Sequence, residues 1–80
     1  MDYYLITFVS THSAISSQKY LGEKIKITIM PTLREISHSC GISIRIKPED
    51  IEVAKEVMAN SSIKDYQIYS IYGAEIKKIL

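Results

Sequence analysis

The sequence predicts an α+β domain of element order βαββαβ, and three observations carry that prediction. Four runs rich in β-branched and aromatic residues read as strands: Tyr3 to Val9, Lys24 to Met30, Ile42 to Ile46 and Tyr66 to Tyr72. Two stretches between them carry helix start and stop signals. With 80 residues and 46% hydrophobic side chains, the chain is one domain that must bury most of its apolar surface in order to fold.

Taken in order, YYLITFV (Tyr3 to Val9) is apolar on both alternating faces. That describes a central strand covered on one face and at least partly on the other. Ser10 or Thr11 offers an N-cap, and the helix that follows closes at Gly22, with Ala14, Ile15 and Leu21 as core contacts and Tyr20 beside them. Its serine content gives weak intrinsic propensity, so packing must hold it. Lys24 to Met30 alternates, with Ile25, Ile27 and Ile29 inward and Lys24, Lys26 and Thr28 outward, as suits an edge strand. Ile42, Ile44 and Ile46 repeat the pattern against Ser43 and Arg45. Pro48 stands at the start of the second helix with Glu49, Asp50 and Glu52 against its N-terminal dipole. Ile51, Ala54, Val57 and Met58 form its stripe, Asn60 ends it, and Ile63 anchors the turn beyond. Tyr66 to Tyr72 reads as the last strand. Residues 1–73 thus form the domain, and 74–80 a tail making one amphipathic turn or fraying.

A small chain with this order most simply forms the ferredoxin-like plait. This is a four-stranded antiparallel sheet of order 4-1-3-2 with both helices on one face. The first and third strands are then central and the lysine-bearing second strand lies at an edge.

Ten basic and nine acidic residues are interspersed, for a net charge of +1. This balance lacks the electrostatic footprint of a nucleic-acid binder and any polybasic signal for a membrane surface. No apolar run approaches the roughly 20 residues needed to span a bilayer. The N-terminus runs straight into a strand pattern without the basic region of a signal peptide. One cysteine cannot form an intramolecular disulfide, which fits a reducing cytoplasm. No cofactor motif or metal-ligand cluster is visible.

The polar run Pro31 to Gly41, PTLREISHSCG, interrupts two strand patterns and holds Cys40. In the plait, the turn after the first strand and the loop after the second share one end of the sheet. Ser10, Thr11 and His12 are therefore expected near this loop, with Cys40 where the third strand begins, beside the first helix's N-terminus. A helix N-terminus and a neighbouring Arg34, His38 or His12 all stabilise a thiolate. Gly41 allows a close backbone approach or a conformation other residues avoid. The competing reading is plain: free cysteine is usually a small buried hydrophobe, and Ser37 and Ser39 are ordinary turn formers.

Three segments, Tyr4 to Leu21, Met30 to Ile46 and Lys47 to Met58, resemble a small bacterial family of selenium/sulfur carrier-like proteins. The distinctive string is Arg34-Glu-Ile-Ser-His-Ser-Cys-Gly41; the others are generic. Leu33, His38 and Gln18 depart from the residues usual there. The resemblance implies that Cys40 is a carrier thiol with Arg34, Ser37, Ser39 and Gly41 around it and Ser10 and Thr11 in the facing turn. It implies a persulfide or selenopersulfide shuttle between donor and acceptor proteins, a carrier more than a conventional enzyme, with no cofactor. The alternative is a non-catalytic interaction or regulatory module with a structural cysteine, forming a homodimer or partner interface through the open sheet face or the last edge strand.

Overall fold

The computed structural model describes residues 2–34, 36 and 41–80. At its centre is β1 (Tyr3–Phe8), paired antiparallel with β3 (Ile42–Ile46) on one side and β4 (Tyr66–Tyr72) on the other. Outside β3 lies β2 (Thr28–Pro31), and outside β4 lies β5 (Glu75–Lys78), both antiparallel to their neighbours. Helices α1 (Thr11–Gly22) and α2 (Ile51–Asn60) complete an α+β domain, the second entered through a single 3-10 turn at Pro48–Asp50.

The expected order 4-1-3-2 is present within the sheet, but the sheet has five strands, in the order β2-β3-β1-β4-β5. The segment expected as a tail is the fifth strand, and Tyr66 to Tyr72 is therefore internal rather than an edge. The cause is local. Gly73 has φ of 59° and no other described residue has a positive φ, so Gly73 and Ala74 form the two-residue hairpin turn that takes glycine first. The Gly73 N–H donates to Asp2 Oδ2 at 2.7 Å, tying this turn to the N-terminal segment. Beyond β5, Ile79 N–H donates to the Ile68 carbonyl at 2.8 Å. Lys77 and Lys78 place charge on the new edge, which discourages further strand addition.

Alternation along β1 decides which layer each side chain joins. Ile6 and Phe8 face the helices and are buried with Ala14, Leu21, Ile44, Ile46, Ile51, Ala54, Met58, Ile63 and Ile68. Both helices thus cover one face. Ile25, Ile27 and Val57 join this core partly buried. Two expected contacts do not. Ile29 pairs with Ile44 across the ladder but is 40% exposed, because α1 sits over β1 and β3 and the edge strand lies beyond it. Ile15 is 58% exposed, since the stripe facing the sheet is Ala14, Ser17 and Leu21, at the i, i+3, i+7 spacing of one helix face. The helix also runs through Gly22, with Glu23 as its C-cap in ordinary right-handed conformation.

Small side chains on that stripe bring α1 close to the sheet, and the cost falls on Ser17. It is fully buried and its hydroxyl has no hydrogen-bond partner among the described residues, a state that carries a desolvation penalty. Ser17→Ala removes the orphan group and improves helix propensity. It is expected to raise stability by about 1 kcal/mol, measured as a higher urea midpoint at unchanged slope.

Candidate functional site

Because β1 and β2 are both antiparallel to β3, they run the same way. The turn after Phe8 and the loop after Pro31 therefore share one end of the sheet, as the sequence implied. That loop is held at its base. One step beyond the Pro31–Ile42 pair, Thr32 N–H donates to the Gly41 carbonyl at 3.0 Å. Thr32 Oγ1 and Ser43 Oγ lie 2.6 Å apart in a hydroxyl–hydroxyl bond. Farther along, Ile36 N–H donates to the Leu33 carbonyl at 3.0 Å, closing a turn around Arg34.

The loop's apolar residues lie over the sheet face opposite the helices. Ile36 is buried with Leu5 and Ile71, and Tyr3, Met30, Leu33, Tyr69 and Ile76 pack around them. The face expected to stand open for a partner thus carries a second, smaller core built partly by the chain's own loop. This also explains why β1 is apolar on both sides.

Beside that cluster is a buried polar row. Thr7 and Ser43 are cross-strand neighbours on the loop-side face and are both fully buried. Ser43 is bonded to Thr32, whereas Thr7 Oγ1 has no hydrogen-bond partner among the described residues. Gln67, opposite Thr7, accepts from the Tyr69 hydroxyl at 2.8 Å. Buried hydroxyls without a partner are uncommon, and this one lies on the face crossed by the loop.

The N-terminus of α1 is occupied by a carboxylate. Ser10 is the N-cap, its Oγ accepting from Ser13 N–H at 3.2 Å. Ser13 Oγ donates to Asp65 Oδ1 at 2.6 Å, and Ser10 Oγ lies 3.3 Å from Oδ2. The Val9 N–H donates to the Asp65 carbonyl at 3.0 Å, which ties the same residue to the chain leaving β1. The Ser13 hydroxyl holds the Asp65 carboxyl below its ordinary pKa; partial burial opposes this, and the Asp65 and Ser10 N–H groups and the Ser10 hydroxyl add to it. A carboxyl with a depressed folded pKa stabilises the fold above its unfolded value, and that contribution disappears as pH falls through the folded one. Acidification through and below the ordinary aspartate range should therefore lower the melting temperature. Asp65→Asn should flatten that part of the profile, which melts of the two proteins across acidic pH will show.

The sequence-derived site residues fall as follows. Ser10 is the cap just described, and Thr11 and His12 are exposed in the first turn of α1. Arg34 is exposed in the loop's turn. Gly41 is exposed at the loop's base, its φ is not in the left-handed region, and a Cβ there would meet nothing within 4 Å. Its place leaves open space and does not rest on a forbidden conformation. Ser37, His38, Ser39 and Cys40 lie outside the described residues. Asp65, Thr7, Ser43 and Thr32 were not anticipated. For Asp65 the available signal was an aspartate directly before a strand that starts at this end of the sheet.

These features define a small α+β domain in which the chain's sole cysteine falls in the segment joining β2 to β3. The sequence matches a family model described as "Putative Se/S carrier protein-like" over residues 3–70, and the chain belongs to that family. The matched span runs from the start of β1 into β4 and leaves β5 outside it. No curated protein and no solved structure matches the chain significantly. No helix among the described residues is long and apolar enough to cross a membrane.

Proposed function

We propose that the protein is a sulfur or selenium carrier that uses Cys40 as its thiol and works between donor and acceptor proteins in a reducing cytoplasm. The observation that carries this reading is the family match, which spans the Pro31 to Gly41 loop in a chain with one cysteine. In the loading step the Cys40 thiolate attacks the outer sulfur of a donor persulfide, R–S–SH. The donor's S–S bond breaks, R–S⁻ leaves with the electron pair, and Cys40 becomes a persulfide. No net oxidant is required, since the sulfane atom moves at constant oxidation level. A donor selenopersulfide, R–S–SeH, reacts in the same way. Attack by an acceptor thiolate on the outer atom returns the Cys40 thiolate.

The chemistry needs a thiolate at neutral pH, hence a cationic or dipolar neighbour. Asp65 already compensates the N-terminus of α1, so this reading assigns activation of Cys40 to Arg34, His38 or His12. The same reading takes Ser37, Ser39 and Gly41 as the residues that flank the thiol in sequence, with Ser10 and Thr11 in the turn assigned to face it. Anchoring at both Thr32–Gly41 and Ile36 supports a loop that presents one residue to a docking protein while the sheet stays covered.

The reading is tested by intact-mass measurement after incubation with a persulfide-generating cysteine desulfurase and cysteine. The expected result is a gain of one sulfur atom, reversed by a thiol acceptor and blocked by prior alkylation. A wild-type chain that stays unmodified while a known acceptor is loaded would overturn it in favour of a non-catalytic interaction module.

A further inference from the structure

At the end of the β2–β3 ladder opposite the cysteine loop, four polar side chains line a cleft of about 300 Å³: Lys26, Thr28, Arg45 and Lys47. Their convergence follows from register. Thr28 pairs with Arg45, and continuing the antiparallel count sets Lys26 opposite Lys47. Alternation then carries all four to the face away from the helices. The result is a two-by-two block with three cations, one hydroxyl and, among the described residues lining it, no carboxylate. Like charges directly opposite across a ladder destabilise it. In a chain of net charge +1, three of the ten basic residues are concentrated here, with no carboxylate among the described residues lining the cleft.

We propose that this cleft is a binding site for a phosphate-class oxyanion, either free or as a phosphomonoester. Arg45 is the organising group. Its guanidinium carbon lies 4.5 Å from the centroid of the Tyr3 ring, a cation–π contact that holds one face of the plane and leaves the N–H edge available for a two-oxygen fork. Lys26 and Lys47 supply point charges from flexible stems, and the Thr28 hydroxyl donates a further hydrogen bond. A tetrahedral anion can use the fork and both ammonium groups at once. A carboxylate offers only two oxygens, and a single chloride uses none of the geometry. The site stands independently of the carrier reading, since its residues lie at the other end of the ladder from the Cys40 loop.

The test is a titration of the isotope-labelled protein with sodium phosphate, glycerol 3-phosphate, acetate and sodium chloride at matched ionic strength. It is followed by the backbone N–H signals of Lys26, Thr28, Arg45 and Lys47 and by the Arg45 Nε–H signal. Saturable shifts are expected with the first two and not with the last two. The tighter of the phosphate arms tells whether the free anion or the ester is the better ligand. Arg45→Met should weaken binding roughly tenfold or more. Arg45→Lys, which keeps the charge but loses the fork, should also bind more weakly than the wild type. Lys26→Met, outside any strand, provides a variant whose fold does not depend on Tyr3 stacking, and it too should weaken binding. Shifts that are non-saturating, equal for phosphate and chloride, equal for acetate, or unchanged in Lys26→Met and Arg45→Lys would overturn the proposal.

Discussion

Cys40→Ser is expected to acquire no sulfur under conditions that load the wild type with one atom per chain. The loss should be total because the chain has a single cysteine and no second thiol can substitute. A serine hydroxyl stays protonated at neutral pH and is a poor nucleophile unless a base activates it, so the variant retains the shape of the side chain without its chemistry. The pH dependence adds a second readout. If Arg34 and the histidines hold the thiol below the free-cysteine value of about 8.5, alkylation of wild-type Cys40 should be half-maximal below that pH. Arg34→Met should move the midpoint up. A Cys40→Ser chain that still gains sulfur, or a midpoint above the free-thiol value, removes the basis for the carrier assignment. Melts run on both proteins separate loss of chemistry from loss of fold.

Most of the architecture was legible because the side-chain patterns have only two periods to obey. The β-branched and aromatic run at Tyr3 to Val9 and the alternation at Ile42 to Ile46 indicated the first and third strands, and Ser10 and Pro48 marked where helical structure begins. The fifth strand was missed because EIKK is short, charged and mostly exposed. Its sole firm signal was the glycine ahead of it, whose positive φ turns the chain back along β4. The second core was half legible. The apolar character of both faces of β1 required a cover, but that cover is Leu33 and Ile36, two apolar residues in a run otherwise read as polar. Ile15 and Ile29 show the limit of counting hydrophobes. Each has the right residue type, but helix rotation and an edge position decided its exposure. At the site, topology correctly placed the β1–α1 turn and the β2–β3 loop at one end. It could not show that Asp65 would reach across from the far side of β1 to the helix N-terminus, because that contact spans 52 residues between Ser13 and Asp65.

Ile36→Ala is expected to lower stability by about 2–4 kcal/mol, the range for truncating a buried aliphatic side chain. Ile36 is 5% exposed and packs on Leu5 and Ile71, in a cluster with three buried members among the described residues, so no large neighbouring core is available to collapse into the space. In a domain of this size the whole stability is roughly 4–12 kcal/mol, and each kcal/mol moves the melting temperature by about 4–8 °C. A fall of about 8 °C or more is therefore the expected reading. Ile36→Val keeps most of the contact and should cost only about 0.5–1.5 kcal/mol. The contrast carries the functional content. Ile36 is four residues from Cys40, and it is the buried member of the loop's described attachments, which are the Thr32 bonds to Gly41 and Ser43 and the packing of Leu33 and Ile36 on the sheet. On the carrier reading, Ile36→Ala loosens one attachment of the loop that bears the thiol while leaving Arg34, His38 and the cysteine itself unchanged in sequence. Alkylation of Cys40 in Ile36→Ala, at a temperature where the variant remains folded, should be faster than in the wild type, while transfer of sulfur to an acceptor protein should be slower. A reactive residue released from its mount stays accessible to a small reagent and loses its fixed presentation to a large one. Equal rates in both assays would mean that the second core stabilises the sheet and does nothing for the loop.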